Sequence, residues 1–385
     1  MVYKVSGRSD VEVFRVLDLL RIANERERAG DDIIHMEAGQ PQDGAPWPVI
    51  AHAKQMLDSD ARMGYTEASG MPLLKERISH WYRERYGLDI APERVTVTIG
   101  ASGGFLFSFL TVFEPGDRVA LAAPGYPAYR NILKTLGIQP VEIPTTQEEN
   151  YQPSIQRLEE LEGPIDGLII ASPSNPAGTI IKQEELKALV EWCESKGIRV
   201  ISDELYHGVV FEGSVDSVLR FSDQAIAVNS FSKYFAMTGW RLGWIITPPD
   251  MARRIKSIAE SMFVAPPTLA QHLAIKVFDH TEILDSYVKR YKHNLDILKR
   301  ELPKAGISNL SETKGAFYLY ADISDLTDNS NDFCFKMLDD IKVAMTPGQD
   351  FDLERGHKTM RISFAGSSEE MEEACRRLQS WHYLK

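Results

Sequence analysis

Apolar residues recur along the chain at two different spacings, and the places where the spacing changes divide it into elements. In "SDVEVFRVLDLLRIANERERAG", residues 9–30, they fall at helical intervals, with Ser9 and Asp10 as cap candidates and Gly30 as a stop. "DIIHM" reads as a short strand, and "MPLLKERISHWYRERYG" as a second amphipathic helix with Pro72 in its first turn. A regular rhythm follows. "RVTVTIG", "DRVALAAP", "DGLIIASP", "IRVISDE", "QAIAVNSFS" and "RLGWIITP" predict strands, and "GGFLFSFLTVF", "AYRNILKTLG" and "QEELKALVEWCESKG" predict helices among them. Several of these strands are unbroken apolar runs, as expected when helices cover both faces of a mostly parallel sheet.

Beyond Pro249 the pattern turns to long helices, including "TEILDSYVKRYKHNLDILKREL". It then alternates short strands and helices through "GAFYLYADI", "DFCFKMLDDI", "KVAMTPG", "TMRISFA" and "EMEEACRRLQSWHYL". The shift predicts an α/β fold with a large domain over residues 45–285 and a smaller α+β domain over 286–385. The N-terminal segment 1–44 is expected to belong to the small domain. No internal repeat or low-complexity linker interrupts the chain.

Composition narrows the function classes. A chain of 385 residues with 43% hydrophobic and 25% charged residues suits a soluble globular protein of two domains or one large α/β unit. Its formal net charge of -12, with no Lys/Arg block, argues against a nucleic-acid partner. Cys193, Cys334 and Cys375 are far apart and form no CxxC pair, so neither a disulfide framework nor a metal site is expected. No apolar run is long enough for a bilayer, and no signal-peptide core opens the chain. The expected setting is cytoplasmic, with no membrane partner.

Candidate chemistry collects at the predicted strand ends, where open α/β sheets bind ligands. "GASGG", "PGYPAY", "SPSNPAG", "DELYH" and "SFSK" each follow a strand. Taken singly, most have a plain structural alternative. "GASGG" is a phosphate-holding helix N-terminus or an ordinary strand–helix turn. Asp203 is also readable as a helix N-cap, Asn175 as a turn former, and Tyr126 and Tyr206 as packing aromatics. Lys233 is harder to explain structurally. It directly follows a buried strand, flanked by Ser232, Tyr234 and Phe235, where desolvation lowers an amine pKa and makes it nucleophilic toward carbonyls. An imine-forming lysine, an aspartate able to face a ring nitrogen and a phosphate cradle point together to pyridoxal 5′-phosphate.

"SFSKYFAMTGWRLGW" resembles the lysine signature of the class I/II aminotransferases, the fold-type I pyridoxal-phosphate-dependent enzymes. Ser230, Ser232, Lys233, Gly239, Arg241 and Gly243 meet its defined positions, and "SNPAG" and "SDELY" resemble the family's Asn-Pro-x-Gly and Asp-x-x-Tyr. The resemblance runs from about Asp31 to the last helix. It implies a fold-type I transferase that moves an amino group between an L-amino acid and a 2-oxo acid in ping-pong half-reactions. By the same resemblance, Lys233 holds the cofactor as an imine and then acts as base and acid. Asp203 pairs with the pyridine nitrogen, Tyr206 and Asn175 bind the phenolic oxygen, and Tyr126 stacks on the ring. Arg241, Ser230, Ser232, Ala101 and Ser102 hold the phosphate. Arg361 grips the substrate carboxylate, which the Gly39 backbone also approaches, and Asn175 is expected to contact the substrate as well. Tyr65 reaches the phosphate of a neighbouring subunit, so the resemblance implies a homodimer with shared sites.

Departures from the family pattern bear on the substrate. Ser102 stands where many aspartate-using relatives carry a lysine, which weakens the case for aspartate. Trp47, in "QPQDGAPWP", is expected on the substrate side, and Val264 and Ala265 are expected to make the side-chain pocket more apolar. The leading alternative activity is a pyridoxal-phosphate-dependent β-lyase or other carbon–heteroatom lyase, whose cofactor shell would look the same. Residues ahead of Asp31 show no helix-turn-helix pattern, which sets aside DNA-binding regulators built on this fold.

Overall fold

Helix α1 (Arg15–Ala29) ends at Gly30 and leads into the two-residue strand β1 (Ile34–His35). These and all later elements are taken from a computed structural model describing residues 3–59 and 61–384. Residues 1, 2, 60 and 385, included in the expected domain ranges, lie outside the described residues. Helices α2 (Trp47–Asp58) and α3 (Pro72–Tyr86) come next. An alternating series then runs β2 (Val95–Thr98), α4 (Gly100–Val112), β3 (Arg118–Ala123), α5 (Pro127–Leu136), β4 (Gln139–Pro144) and α6 (Ile155–Glu159). It continues with β5 (Gly167–Ala171), α7 (Gln183–Ser195), β6 (Arg199–Asp203), β7 (Ile226–Ser230) and β8 (Gly243–Ile246).

Strands β2 to β8 form one sheet in the order β2-β8-β7-β6-β5-β3-β4. Its pairs are parallel except those of β8, which runs antiparallel to both β2 and β7. Both faces are buried. Val119, Leu121, Ile169, Ile201 and Ile245 pack with Phe105, Tyr129 and Ile255 of the helices on one side. Ala120, Leu168, Val200, Ala227 and Trp244 pack with Leu74, Leu186 and Leu273 on the other. Because both faces are covered, the strands carry continuous apolar runs.

The remaining elements are α8 (Ala252–Met262), α9 (Thr268–Val277), the long α10 (Thr281–Glu301), β9 (Asn309–Leu310), β10 (Tyr318–Asp322) and α11 (Ser330–Ile341). They are followed by β11 (Val343–Ala344), β12 (Thr346–Pro347), β13 (Thr359–Ser363) and α12 (Ser368–Ser380). A second sheet has the order β12-β13-β10-β9, and β1 pairs in parallel with β11. That last pair joins the N-terminal segment to the C-terminal elements. No helix among the described residues is long and apolar enough to cross a membrane.

Three features depart from the periodicity. Helix α1 starts at Arg15, so Ser9 and Asp10 do not cap it. Its first amides instead donate to the carboxylate of Asp350, Arg15 N at 2.9 Å and Val16 N at 2.8 Å. Strand β4 is not foreseen, because Pro140 and Pro144 interrupt its pattern; it lies at a sheet edge, where proline is tolerated. Helix α2 is also not foreseen. Pro48 reads as part of a loop but sits in the first turn, where its missing N–H costs nothing.

Candidate active site

The β7–β8 connection is an irregular return over residues 231–242, and it lies at the carboxyl end of the sheet. It is braced internally by Phe231 N to Leu242 O at 3.0 Å, Met237 N to Phe231 O at 2.9 Å and Thr238 Oγ1 to Ser232 O at 2.8 Å. Because β8 runs antiparallel, Lys233 and Arg241 stay beside the ends of β2, β3, β5 and β6. Together these segments line a cavity of about 360 Å³. Gly39, Ala101, Ser102, Tyr126, Asn175, Asp203, Tyr206, Ser230, Ser232, Lys233, Arg241 and Arg361 all contribute to its wall.

Lys233 Nζ donates to the carbonyl of Gly39 at 2.6 Å. The residue keeps part of its surface open to the cavity, but its amine is enclosed. Burial pushes its pKa down to about 8; the nearby Arg361 and Arg241 cations act in the same direction and Asp203 opposes them. Gly39 has close company on its other side. A Cβ there would meet the Tyr318 hydroxyl at 2.5 Å, so a larger residue would displace the loop that approaches the lysine.

Asp203, the last residue of β6, is 4% exposed. It caps no helix. One oxygen accepts from Leu205 N at 3.0 Å and the other from the Tyr129 hydroxyl. Burial raises its pKa to about 6 against the pull of both donors. Tyr206, three residues on, places its hydroxyl 2.8 Å from that of Tyr318.

The far end of the cavity is built for an anion. Helix α4 starts there without a side-chain cap, so its first-turn amides have no partner within the helix. Ser230 Oγ lies 3.0 Å from Ser232 Oγ. Gly100, at φ 65°, lets the Arg241 guanidinium approach; a Cβ would meet its Nη2 at 2.7 Å. Ser102 and Arg241, at this end, are exposed.

At the other end stands Arg361, 5% exposed, on β13. This strand is interior to its sheet, flanked by β12 and β10. The guanidinium donates to Asn175 Oδ1 at 3.1 Å, to the Glu37 carbonyl at 2.7 Å and to Thr346 Oγ1 at 3.3 Å. It lies over the Tyr318 and Phe351 rings at 4.4 and 4.8 Å. Its Nε, also buried, has no hydrogen-bond partner among the described residues. A cation fixed by neutral groups and aromatic faces, with its Nε unpartnered, is prepared for an anionic ligand.

Over residues 31–378 the chain that carries this arrangement matches the profile of aminotransferase class I and II. The chain belongs to that family. It is 45% identical to the valine–pyruvate aminotransferase of Mycobacterium tuberculosis, covering 99% of each chain. It is 32% identical to the (5-formylfuran-3-yl)methyl phosphate transaminase of Methanocaldococcus jannaschii, covering 96% of this chain and 97% of that one. A crystal structure of an aminotransferase from Mycobacterium tuberculosis superimposes with a TM-score of 0.96, at 45% identity and 99% coverage of both chains. Aspartate aminotransferase from Thermus thermophilus with maleate gives a TM-score of 0.91 at 27% identity, over 98% and 99% of the two chains. The fold is therefore that of the fold-type I aminotransferases, and this aminotransferase is an enzyme that moves amino groups between amino acids and oxo acids.

One predicted site residue of the aminotransferase stands apart from the cavity. Tyr65 is 87% exposed and does not line it. Trp47, 75% exposed at the start of α2, is also outside the lining, as are Val264 and Ala265. The apolar wall has another source. Phe14, Val16, Leu17 and Leu20, from α1 and the residue before it, face the cavity with Phe105 and Ile132. Tyr129, Tyr318 and Asp350 also belong to the lining and carry no motif of their own. The repeated aromatics of "PGYPAY" and "GAFYLY" are the one sequence signal that marks the two tyrosines.

Proposed function

We propose that the protein is a pyridoxal 5′-phosphate-dependent aminotransferase whose amino donor has a small apolar side chain. One observation carries the reading: a lysine amine, a buried carboxylate and a half-satisfied arginine converge on one cavity that has an anion cradle at its far end. The residues fit the cofactor. Arg241, Ser230, Ser232 and the first-turn amides at Ala101 and Ser102 suit a phosphate monoester. Asp203 suits a protonated ring nitrogen, Tyr206 and Asn175 a phenolate oxygen, and Tyr126 the face of the ring.

When bound, pyridoxal phosphate supplies an electron-withdrawing ring that draws off the electron pair of the substrate α-carbon. Lys233 would hold the aldehyde through Nζ and, once the substrate amine has taken its place and freed it, would move the proton at the substrate α-carbon as a base of lowered pKa. Arg361 binds the substrate carboxylate with its free edge and orients the α-carbon toward Lys233. The Gly39 backbone borders the same carboxylate. Phe14, Val16, Leu17 and Leu20 exclude water and face the donor side chain. The described lining holds no cation beyond Lys233, Arg241 and Arg361, which favours an apolar side chain over a second carboxylate. The name of the Mycobacterium tuberculosis relative, valine–pyruvate aminotransferase, favours the same class and a small oxo acid as acceptor.

A homodimer completes the reading. Tyr65 is exposed and does not line its own cavity, while Ser102 and Arg241 are exposed at the anion end, so Tyr65 of a second copy would reach the phosphate there. The division into residues 1–44 and 286–385 on one side and 45–285 on the other rests on the β1–β11 pair and the two sheets. Three buried free cysteines favour a reducing, cytoplasmic setting. Borohydride reduction followed by peptide mapping tests the cofactor assignment. It should leave a pyridoxyl group on the peptide that carries Lys233. Label on another lysine, or none after the cofactor is supplied, would contradict it.

A further inference from the structure

We infer that Tyr129 is a positioning residue of the cofactor site: its phenol keeps the Asp203 carboxylate ionised and turned toward the ring nitrogen. The inference rests on the pyridoxal phosphate reading and concerns a residue that no motif marks. Asp203 is nearly enclosed, yet none of the ion pairs among the described residues includes it. The Lys233 amine donates to Gly39 O instead. Lys233 acts on the Asp203 charge only through space, and the hydrogen bonds to its carboxylate come from two neutral donors, Leu205 N–H on one oxygen and the Tyr129 hydroxyl on the other.

The chemistry makes the second donor matter. A carboxylic acid that carries its own proton cannot accept one from a protonated ring nitrogen, so the pairing needs the anion. Burial already raises the Asp203 pKa to about 6 with both donors in place. Removing one leaves a buried anion under-partnered and favours the neutral acid.

Tyr129 is well placed for this duty. It lies in the first turn of α5, 4% exposed, with its ring edge-on to Phe105 at 4.9 Å and to Tyr126 at 5.3 Å. Those contacts fix the ring without using the hydroxyl. Tyr129→Phe therefore removes the donor and retains the packing.

The test is a pair of binding titrations on the full-length protein freed of cofactor. One uses pyridoxal phosphate; the other uses its carbocyclic analogue, in which carbon replaces the ring nitrogen. Tyr129→Phe should weaken pyridoxal phosphate about tenfold or more and leave the analogue unchanged, the size expected for one hydrogen bond to a charged group. In an Asp203→Asn background the same substitution should have no further effect. Equal weakening of both ligands would reduce Tyr129 to a packing residue, and no weakening of either would show the hydroxyl idle; each overturns the inference. If the parent protein binds neither ligand, or both equally well, the ring-nitrogen pairing itself falls and takes the inference with it.

Discussion

Lys233 and Asp203 depart from ordinary titration in opposite directions for one reason: the site removes both from water. The amine comes down to about 8 and the carboxyl goes up to about 6, which brings each nearer neutrality. Arg361 supplies a cation at the other end of the site. Arg361→Ala should weaken amino-acid binding by about 2–5 kcal/mol and leave cofactor binding nearly unchanged, as separate titrations would read. Equal loss of both would mean the arginine is structural. Glu204, beside Asp203 and fully buried, gives a pH prediction. Burial raises its pKa to about 7, against the donors Ser217, Val218 N–H and Tyr82. A carboxyl whose folded pKa lies above its unfolded 4.5 contributes stability that is complete below 4.5 and lost as the pH rises through 7. Denaturation of Glu204→Gln beside the parent should show the variant gaining relative stability across that window; a constant difference would contradict the assignment. Lys233 and Asp203 were legible in the sequence because one follows a buried strand and the other ends one, and Arg361 through its resemblance to the family arginine. Tyr129 was not, because its partner lies 74 positions away and only the fold brings them together.

Elements show the same division between local and distant causes. Gly30 and Pro72 set a helix end and a helix start within their own neighbourhoods, and both positions hold. The start of α1 depends on Asp350, 335 positions along the chain, so local cap rules favoured Ser9 and Asp10 instead. That remote cap also fixes the helix whose residues wall the cavity. Asp350→Ala should cost about 1 kcal/mol of stability. It should also raise KM for an apolar amino acid more than it weakens cofactor binding, because Val16, Leu17 and Leu20 lose their fixed place. Unchanged KM with lowered stability would confine Asp350 to a structural role. The edge strand β4 was hidden by its prolines, whereas the interior strands announced themselves through burial on both faces.

At the scale of the molecule, the sheet topology gathers groups from five strand ends and a second sheet adds Arg361 from the opposite side. Alternating strands and helices made the first arrangement legible; the proposed Tyr65 contact would need a second copy, and such a contact leaves no periodic trace. Mixing Lys233→Ala protein with Tyr65→Phe protein, followed by subunit exchange, should yield hybrids with one unaltered site and activity above that of either parent. No gain after confirmed exchange would place Tyr65 outside the site. The most direct test of the whole account is the visible absorption of the purified protein, cofactor supplied, before and after L-valine and then pyruvate. A yellow band is expected that L-valine converts to the near-ultraviolet form, with release of the matching oxo acid, and that pyruvate restores. A protein that stays colourless, or one whose band L-valine and other small apolar amino acids leave unmoved, would contradict it.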